Sequence, residues 1–145
     1  MNYKSWLIDD LRSLERLRFS IPYMEAELET IEAEYAAIRA TDYDKIPGGS
    51  GGGQEDHLLS ASARKDALKA NLKATRAKVE NLQCLLNALP DDERRVLELM
   101  HINREEHAVS RLCQELGYES AQIYRVKDRA LLHLAQLRYG AGYQP

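Results

Sequence analysis

Two long runs of apolar residues with a seven-residue period constrain the fold of this chain more than any other feature. In the first run, two rows of apolar residues are offset by three positions and extend over about 32 residues. The rows are Leu7, Leu14, Ile21, Leu28 and Tyr35, and Leu17, Met24, Ile31 and Ile38. Leu11 widens the apolar stripe, and Asp10 is its one polar break. This spacing predicts a long amphipathic helix that packs against another helix.

Pro22 lies inside the first heptad run. A proline within a helix removes one backbone hydrogen bond and clashes with the preceding turn. Because the heptad phase continues past it, we predict a kink near residues 19–22 within one helix. The alternative is that Ser20 caps a fresh helix with Pro22 in its first turn.

A second heptad run follows a glycine-rich segment. Its rows are Leu58, Leu72, Val79 and Leu86, with Lys65 as an exception, and Ala61, Leu68, Thr75, Leu82 and Leu89. The first helix is predicted to end near Thr41, and residues 42–54, with five glycines among six positions, predict a mobile loop. The Gly-Lys-Ser/Thr ending of a phosphate-binding loop and the strand before it are both missing, so nucleotide binding is not expected here.

The charges of the two runs are complementary. Residues 1–57 carry 6 basic and 12 acidic side chains, whereas residues 58–90 carry 6 basic and 2 acidic ones. Residues 1–88 are therefore interpreted as a long antiparallel helical hairpin, a coiled coil, in which Glu32 comes near Arg64 and Glu27 near Lys69. Exposed pairs of this kind select one pairing rather than hold the fold. Pairing of the same helices between two subunits is the alternative that the sequence leaves open.

A different pattern begins at Pro90, which ends the second run. Acidic residues at 91–93 favour a helix start because they complement the helix dipole. The predicted helix, about 91–100, presents Val96, Leu97 and Met100 to the helices that follow it. Residues 101–103 form a short connection, and a second helix then runs from Asn103 or Arg104 to Gly117.

The last predicted helix runs from about Ser120 to Leu137, after a tight turn at residues 117–119. Gly117 closes the preceding helix at the lowest steric cost, and Ser120 is the expected N-cap. Leu112, Leu116, Ile123, Val126 and Ala130 form an apolar seam between the two helices, with the small Cys113 where they cross. Residues 89–137 thus predict a three-helix unit with a helix-turn-helix, followed by a loose tail at 138–145.

The run Leu-Pro-Asp-Asp-Glu-Arg-Arg-Val-Leu at 89–97, together with Leu-Gly at 116–117, resembles the C-terminal DNA-binding region of sigma factors, region 4. Ile123, Ala130, Leu131 and Leu134 extend this resemblance, which covers about a third of the chain. With Tyr124-Arg125 and a preceding hairpin that has a Gly-rich tip, most of the chain resembles the RinA/ArpU-like regulators of late transcription in phages. The chain departs from sigma factors at residues 120–122, where they usually carry charged residues, so promoter preference is not carried over.

The early turns of the last helix contain the candidate DNA-binding residues. With Ile123, Val126 and Ala130 facing inward, the outward side chains include Ser120, Ala121, Gln122, Tyr124, Arg125 and Lys127. Gln side chains pair with adenine and Arg side chains with guanine, so Gln122 and Arg125 are expected to contact bases. Lys127 and Arg129 are expected to hold phosphates. Residues 120–145 carry four basic side chains against Asp128, which suits phosphate contacts.

Other chemistries find little support in the sequence. His101, Glu105 and His107 do not share one helix face, so no metal site is predicted, and no catalytic motif or cofactor site stands out. Cys84 and Cys113 are interpreted as buried thiols on apolar helix faces. No apolar run approaches the length of a membrane span, and a cytoplasmic protein is expected.

The resulting functional hypothesis is a sequence-specific regulator that binds double-stranded DNA. The resemblance implies a phage or prophage activator of late genes that acts with RNA polymerase, while the hairpin supplies a homodimer contact or a partner surface. One alternative is a DNA-packaging protein like the small terminase subunits, which combine a helix-turn-helix with coiled-coil helices in rings. Another is an interaction protein that binds polymerase without reading DNA.

Overall fold

The computed structural model describes residues 2–43 and 52–143. These residues form five α-helices and no strand, which confirms the all-α prediction. The helices are α1 (Tyr3–Tyr43), α2 (Gly52–Asn87), α3 (Asp91–Leu97), α4 (Ala108–Leu116) and α5 (Ser120–Tyr139). A π-helical turn at Glu98–Ile102 continues α3, and a 3-10 turn at Gly140–Gly142 follows α5. Within the two described ranges, no helix combines the length and the apolar character needed to cross a membrane.

The two long helices extend further than the sequence indicated. Helix α1 ends at Tyr43 and helix α2 begins at Gly52, so the loop predicted at 42–54 is too long at both ends, and residues 44–51 lie outside the described residues. Pro22 is inside α1, which continues through it. The fresh helix capped by Ser20 is therefore not formed.

The chain divides into two compact units. Unit 1 consists of Met1–Arg18 and Lys78–Pro145, and unit 2 consists of Phe19–Ala77. The division falls inside both long helices, whereas the sequence interpretation placed a domain boundary between residues 88 and 89. The ends of α1 and α2 that belong to unit 1 pack with α3 and α5, because they share one apolar core.

Unit 1 contains two groups of buried side chains. The first joins four helices and consists of Leu7, Leu11, Leu14, Leu82, Leu86, Leu89, Leu97, Ala130, Leu131, Leu134 and Ala135. The second consists of Val96, Leu99, Leu112, Ile123 and Val126. Val96 and Leu97 are adjacent in α3 but enter different groups, so α3 lies between the two cores. Leu97 packs with Ala130, Leu131 and Leu134 of α5, and so faces one of the helices that follow it, as predicted.

The C-terminal segment packs against the start of α1. The ring of Tyr3 lies 4.6 Å from that of Tyr139 and 6.1 Å from that of Tyr143, between centroids. Arg138 donates a hydrogen bond to the carboxylate of Asp10, the polar break in the first heptad run. The prediction of a loose tail at 138–145 is therefore wrong for residues 138–143, because three aromatic rings and an ion pair hold them; residues 144–145 lie outside the described residues.

Unit 2 is formed by two helix segments that run in opposite directions. Glu34 pairs with Arg64 at 3.2 Å and Glu32 with Lys69 at 3.6 Å, and Glu25 pairs with Arg76 further along. Its buried apolar side chains among the described residues are Ile31, Ala61 and Leu72. The charge complementarity is thus as predicted, but the partners are not.

The predicted partner of Glu32 was Arg64, and the observed partner is Lys69. Lys69 lies five positions after Arg64 in the chain, and Arg64 pairs with Glu34 instead. The observed pairing is therefore shifted along α2 relative to the predicted one.

Cys84 is exposed, which corrects the prediction of a buried thiol. It lies two positions after Leu82, and two helical residues span about 200°, so its side chain is on the opposite face from the core. Cys113 is half-buried and packs against the second core group, where the prediction placed it.

Candidate nucleic-acid interface

Helices α4 and α5 are joined by a tight turn whose first residue is Gly117. Gly117 closes α4 with a φ of 71°, the left-handed conformation that glycine adopts at the least cost. Leu112 of α4 packs with Ile123 and Val126 of α5, and all three are fully buried. The predicted seam therefore fixes which face of α5 points outward.

The start of α5 differs from the prediction by one residue. Ser120 is the first helical residue, and Glu119, in extended conformation, is the N-cap without a side-chain hydrogen bond. The Oγ atom of Ser120 lies 3.9 Å from Cys113 Sγ, so its hydroxyl faces α4 rather than the free N–H groups of α5. The predicted N-cap role of Ser120 is therefore wrong.

Helix α4 begins at Ala108, later than the predicted Asn103 or Arg104. The π-helical turn Glu98–Ile102 prolongs α3, and the chain then needs residues 103–107 to reverse direction. His107 completes the reversal with a φ of 63°, the single positive φ at a non-glycine residue in the described ranges. The predicted connection at 101–103 was thus too short.

Residues at the start of α5 form an exposed surface beside the turn. A shallow depression of about 390 Å³ is lined by Gly117, Tyr118, Glu119, Ala121, Gln122 and Arg125. Ala121, Gln122 and Arg125 are all exposed. Within residues 2–43 and 52–143, no hydrogen bond or ion pair engages the side chain of Gln122 or of Arg125. Both side chains are available to an incoming ligand.

Tyr124 and Lys127 lie on one flank of this surface. Tyr124 is about half exposed, and the Nζ atom of Lys127 lies 5.3 Å from the centre of its ring. Lys127 Nζ is also 3.8 Å from the carboxylate of Asp128. The ring and the ammonium group therefore support each other at the edge of α5.

Arg129, which the sequence assigned to phosphate, is engaged within the protein. Its Nε donates to Glu93 Oε1 at 2.9 Å, and a terminal nitrogen lies 3.5 Å from Asp92 Oδ2. Glu93 is almost fully buried, and His133 Nδ1 lies 3.0 Å from its carboxylate. Buried carboxylates need such partners, because an unpaired buried charge is costly.

The acidic start of α3 thereby holds α5. Besides the two contacts of Glu93, the hydroxyl of Tyr118 donates to Asp92 Oδ2 at 3.2 Å, which connects the turn before α5 to the same place. In the sequence, Asp92 and Glu93 indicate only a helix start. Their contacts with α5 depend on the tertiary packing, and no sequence spacing indicated them.

A second network fixes α3 to α4. Arg95 makes two hydrogen bonds to Glu115, at 2.8 and 2.9 Å, and Arg111 donates to Glu115 from α4 itself at 3.0 Å. The hydrogen bonds from Arg95, with the one from Arg111, lower the pKa of Glu115 to about 2. The same contacts with Glu115 and Glu98 raise the pKa of Arg95.

His101 lies in the π-helical turn with both ring nitrogens buried and without a hydrogen-bond partner among the described residues. Burial, together with positive charges nearby, lowers its pKa from 6.5 to about 4. These charges belong to Lys127 of α5, Arg12 and Lys4 of α1, and Arg104 of the loop after the π-helical turn. We call Lys4, Arg12, Arg104 and Lys127 the cationic cluster.

Of the cationic cluster, the sequence pattern of α5 indicates only Lys127. Lys4 and Arg12 are more than a hundred residues away in the chain, and Arg104 lies in the loop before α4, so no spacing within α5 includes them. Lys4 Nζ lies 3.8 Å from Asp128 Oδ1, the same atom that Lys127 approaches. The start of α1 thus contributes positive charge beside α5.

Comparison of the chain with protein-family models, with curated proteins and with solved structures finds no match.

Proposed function

We propose that the protein is a sequence-specific DNA-binding regulator of transcription, and that α4, the turn and α5 act as its helix-turn-helix. In this proposal a long antiparallel helical hairpin precedes a three-helix region like that of sigma factors. The resemblance described above favours a phage or prophage activator of late genes that acts with RNA polymerase.

The observation that carries the proposal is the pair Gln122 and Arg125. Both project from the first turns of α5, where a helix in the major groove meets base edges, and neither is held by another group in the described part of the chain. The amide of Gln122 suits adenine and the guanidinium of Arg125 suits guanine. The small side chain of Ala121, exposed beside them, leaves room for close approach.

The anchoring of α5 supports the same proposal. A helix that reads bases must be held firmly, because a small displacement separates donors from acceptors. Ile123 and Val126 fix one face of α5, and Glu93 holds Arg129 further along. We therefore assign Arg129 a positioning role and keep Gln122, Tyr124, Arg125 and Lys127 as the proposed DNA-contacting residues. Ser120 is not kept among them, because its hydroxyl faces Cys113 of α4.

The test begins with selection of bound sequences from a random pool of duplex DNA. We expect one enriched sequence, and tighter binding to it than to an unrelated duplex. Arg125→Ala should weaken binding to the selected duplex by about 5- to 150-fold, the equivalent of about 1–3 kcal/mol for a bidentate base contact. Gln122→Ala should relax the preference at a different base pair.

Arg64→Ala is the matched control, since it removes the same charge from an exposed pair with Glu34 in unit 2. We expect its affinity and sequence preference to equal those of the wild type. Selection that enriches no sequence, or equal effects of Arg125→Ala and Arg64→Ala, would contradict base reading by α5.

The same purified protein distinguishes the two competing functions, by its mass in solution and by its binding to RNA polymerase and to duplex DNA. A packaging protein of the small-terminase kind should have the mass of a ring by light scattering, rather than that of a monomer or dimer. A polymerase-binding protein that does not read DNA should bind RNA polymerase equally well after Arg125→Ala and should bind duplex DNA weakly without sequence preference.

We propose that the regulator is a homodimer. Helix-turn-helix proteins commonly act as two-fold symmetric dimers, in which each copy reads one half-site of the operator. Phe19 and Tyr23 are strongly exposed on successive turns of α1 in unit 2, as expected of a surface that a second copy covers. Phe19→Ser with Tyr23→Ser should convert a dimer to a monomer by light scattering. A wild type that is monomeric at high concentration would exclude this contact.

A further inference from the structure

The depression at the start of α5 is lined by three side chains with different hydrogen-bonding capacities. Arg125 only donates hydrogen bonds, the carboxylate of Glu119 only accepts them, and the amide of Gln122 does both. Arg125 and Glu119 carry opposite charges, so the lining has no net charge. A surface that binds phosphate groups alone would be positive. This lining instead suits the edges of base pairs, which present donors and acceptors without a charge.

Glu119 is the N-cap of α5, but its side chain does not act as a cap. Its backbone carbonyl accepts a hydrogen bond from the N–H of Ile123 at 3.1 Å, which closes the first turn of the helix. Usual N-cap residues have short side chains that reach the free N–H groups, and glutamate is longer. Glu119 is exposed, and no hydrogen bond or ion pair engages its carboxylate in the part of the chain that the structure describes. The carboxylate is therefore available to a ligand.

The backbone that carries Glu119 is held on both sides. Before it, the hydroxyl of Tyr118 donates to the carboxylate of Asp92 in α3 at 3.2 Å. After it, Ile123 is fully buried in the second core group. The fold thus sets the position of Glu119 relative to the rest of α5. A side chain on a backbone fixed in this way suits recognition, because hydrogen bonds to a base tolerate little displacement.

We propose that Glu119 reads a cytosine in the bound duplex, as a third specificity-determining residue beside Gln122 and Arg125. In the major groove, cytosine presents an amino group that donates to a carboxylate. Guanine and thymine present acceptors there, which repel a carboxylate, and the amino group of adenine lies next to an acceptor nitrogen. This inference rests on the proposed function, since it names a base that α5 contacts.

An unpaired carboxylate that faces DNA also has a cost. It repels the phosphates of every duplex, whatever the sequence, and salt screens this repulsion. A duplex that offers a donor to the carboxylate compensates for the repulsion, whereas other duplexes do not. Glu119 therefore increases specificity in two ways, by its bond to the correct base and by weaker binding to incorrect sequences.

The first experiment repeats the selection of bound duplexes with Glu119→Ala and Glu119→Gln. We expect one base pair at which the wild type prefers cytosine and Glu119→Ala has no preference. Replacing this cytosine should weaken wild-type binding by about 5-fold, the low end of the range for base contacts, because a single hydrogen bond is lost. Both variants should bind an unrelated duplex more tightly than the wild type does, most of all at low salt.

Glu119→Asp separates base reading from a structural role. A negative charge at the start of α5 also complements the helix dipole, and aspartate keeps this charge and is a better N-cap. We expect Glu119→Asp to lose the preference for cytosine, because its side chain is shorter, while its thermal midpoint equals or exceeds that of the wild type. A cytosine preference that persists in Glu119→Asp and in Glu119→Ala would leave Glu119 with the structural role alone.

Glu80→Gln is the matched control. It removes an exposed negative charge from α2 in unit 1, and its carboxylate has no hydrogen bond or ion pair within the two described ranges. We expect the wild-type preference at every base pair and the wild-type affinity for an unrelated duplex. If the Glu119 variants also keep every preference while Arg125→Ala loses one, reading by Glu119 is overturned and the proposed function stands. If the wild type selects no sequence, both proposals are overturned.

Discussion

Units 1 and 2 are built from the same two long helices but differ in how completely side chains are covered. In unit 1 the helix ends meet α3 and α5, and Leu7, Leu14 and Leu134 lose all contact with solvent. In unit 2 two helix segments cover each other on one side only, and Phe19 and Tyr23 remain largely exposed. The same heptad pattern therefore gives different burial, because a helix pair alone encloses little volume.

This difference predicts unequal local stability. Amide protection and resistance to unfolding follow the density of buried apolar contacts. The surface ion pairs of unit 2, such as Glu32 with Lys69, contribute about 0–1 kcal/mol each and do not replace a core. Unit 1, which contains the candidate interface, should stay folded under conditions that open unit 2.

The largest expected effect comes from shortening a core leucine. Leu134→Ala should lower the free energy of unfolding by about 3 kcal/mol, since it leaves a cavity in the first core group of unit 1. Leu72→Ala, the matched change in unit 2, should cost about 1 kcal/mol because its surroundings can collapse toward solvent. Denaturant unfolding measures both. Equal losses would contradict the proposed difference between the units.

The next effect concerns a charged contact. Arg129→Ala should destabilise unit 1 by about 2 kcal/mol, because the buried carboxylate of Glu93 loses a charged hydrogen-bond donor. Arg76→Ala, which breaks an exposed pair with Glu25 in unit 2, should cost less than about 1 kcal/mol. Urea unfolding at neutral pH compares the two variants. A larger loss for Arg76→Ala would remove the assigned role of the Glu93 contact.

We expect the free energy of unfolding of unit 1 to fall in acid, because His101 is buried in its neutral form. Its pKa is lowered from 6.5 to about 4 by burial and by neighbouring cations, so between these values the unfolded chain binds a proton that the folded chain does not. Stability therefore falls as the pH drops from about 6.5 to 4, by on the order of 1–2 kcal/mol.

His101→Leu tests this cause by replacing the two unpartnered ring nitrogens with methyl groups. We expect equal or greater stability at neutral pH and a flatter decline between pH 6.5 and 4. Unfolding curves over this range provide the measurement, and an unchanged decline would assign the acid sensitivity to another group. The contribution of Glu115, whose pKa is lowered to about 2, is lost only at lower pH.

The smallest effect concerns the turn before α5. Gly117→Ala should cost about 1 kcal/mol, because a φ of 71° is strained for any residue with a Cβ although no atom lies within 4 Å of the added carbon. Gly142→Ala also meets open space and has no positive φ, so it should be nearly neutral. Thermal unfolding distinguishes them, and equal midpoints would show that the turn tolerates an alanine.

The predictions that succeeded depend on local periodicity. Heptad spacing identified both long helices, and the apolar seam with Gly117 identified the α4–α5 turn. The predictions that failed depend on where the backbone goes between helices. The π-helical turn moved the start of α4 to Ala108, and the chain entered α5 through Glu119 rather than Ser120.

The candidate site shows the same limit. Gln122 and Arg125 could be placed from helical geometry alone, since both belong to α5. The partner of Arg129 is a glutamate 36 positions earlier, and Lys4 reaches α5 from the other end of the chain. Such contacts follow from packing of the whole of unit 1, so a sequence pattern within one helix does not contain them.

The aromatic rings at the start of α1 give the protein an optical reporter. Trp6 is the one tryptophan in the sequence, and its ring stands edge-on to Tyr3 at 5.5 Å, within the group that also receives Tyr139. Excitation at wavelengths that tryptophan absorbs and tyrosine does not therefore reports on unit 1, because unit 2 contains no tryptophan. The wavelength of maximum Trp6 emission and its quenching should change when the C-terminal residues separate from α1, so no attached dye is needed.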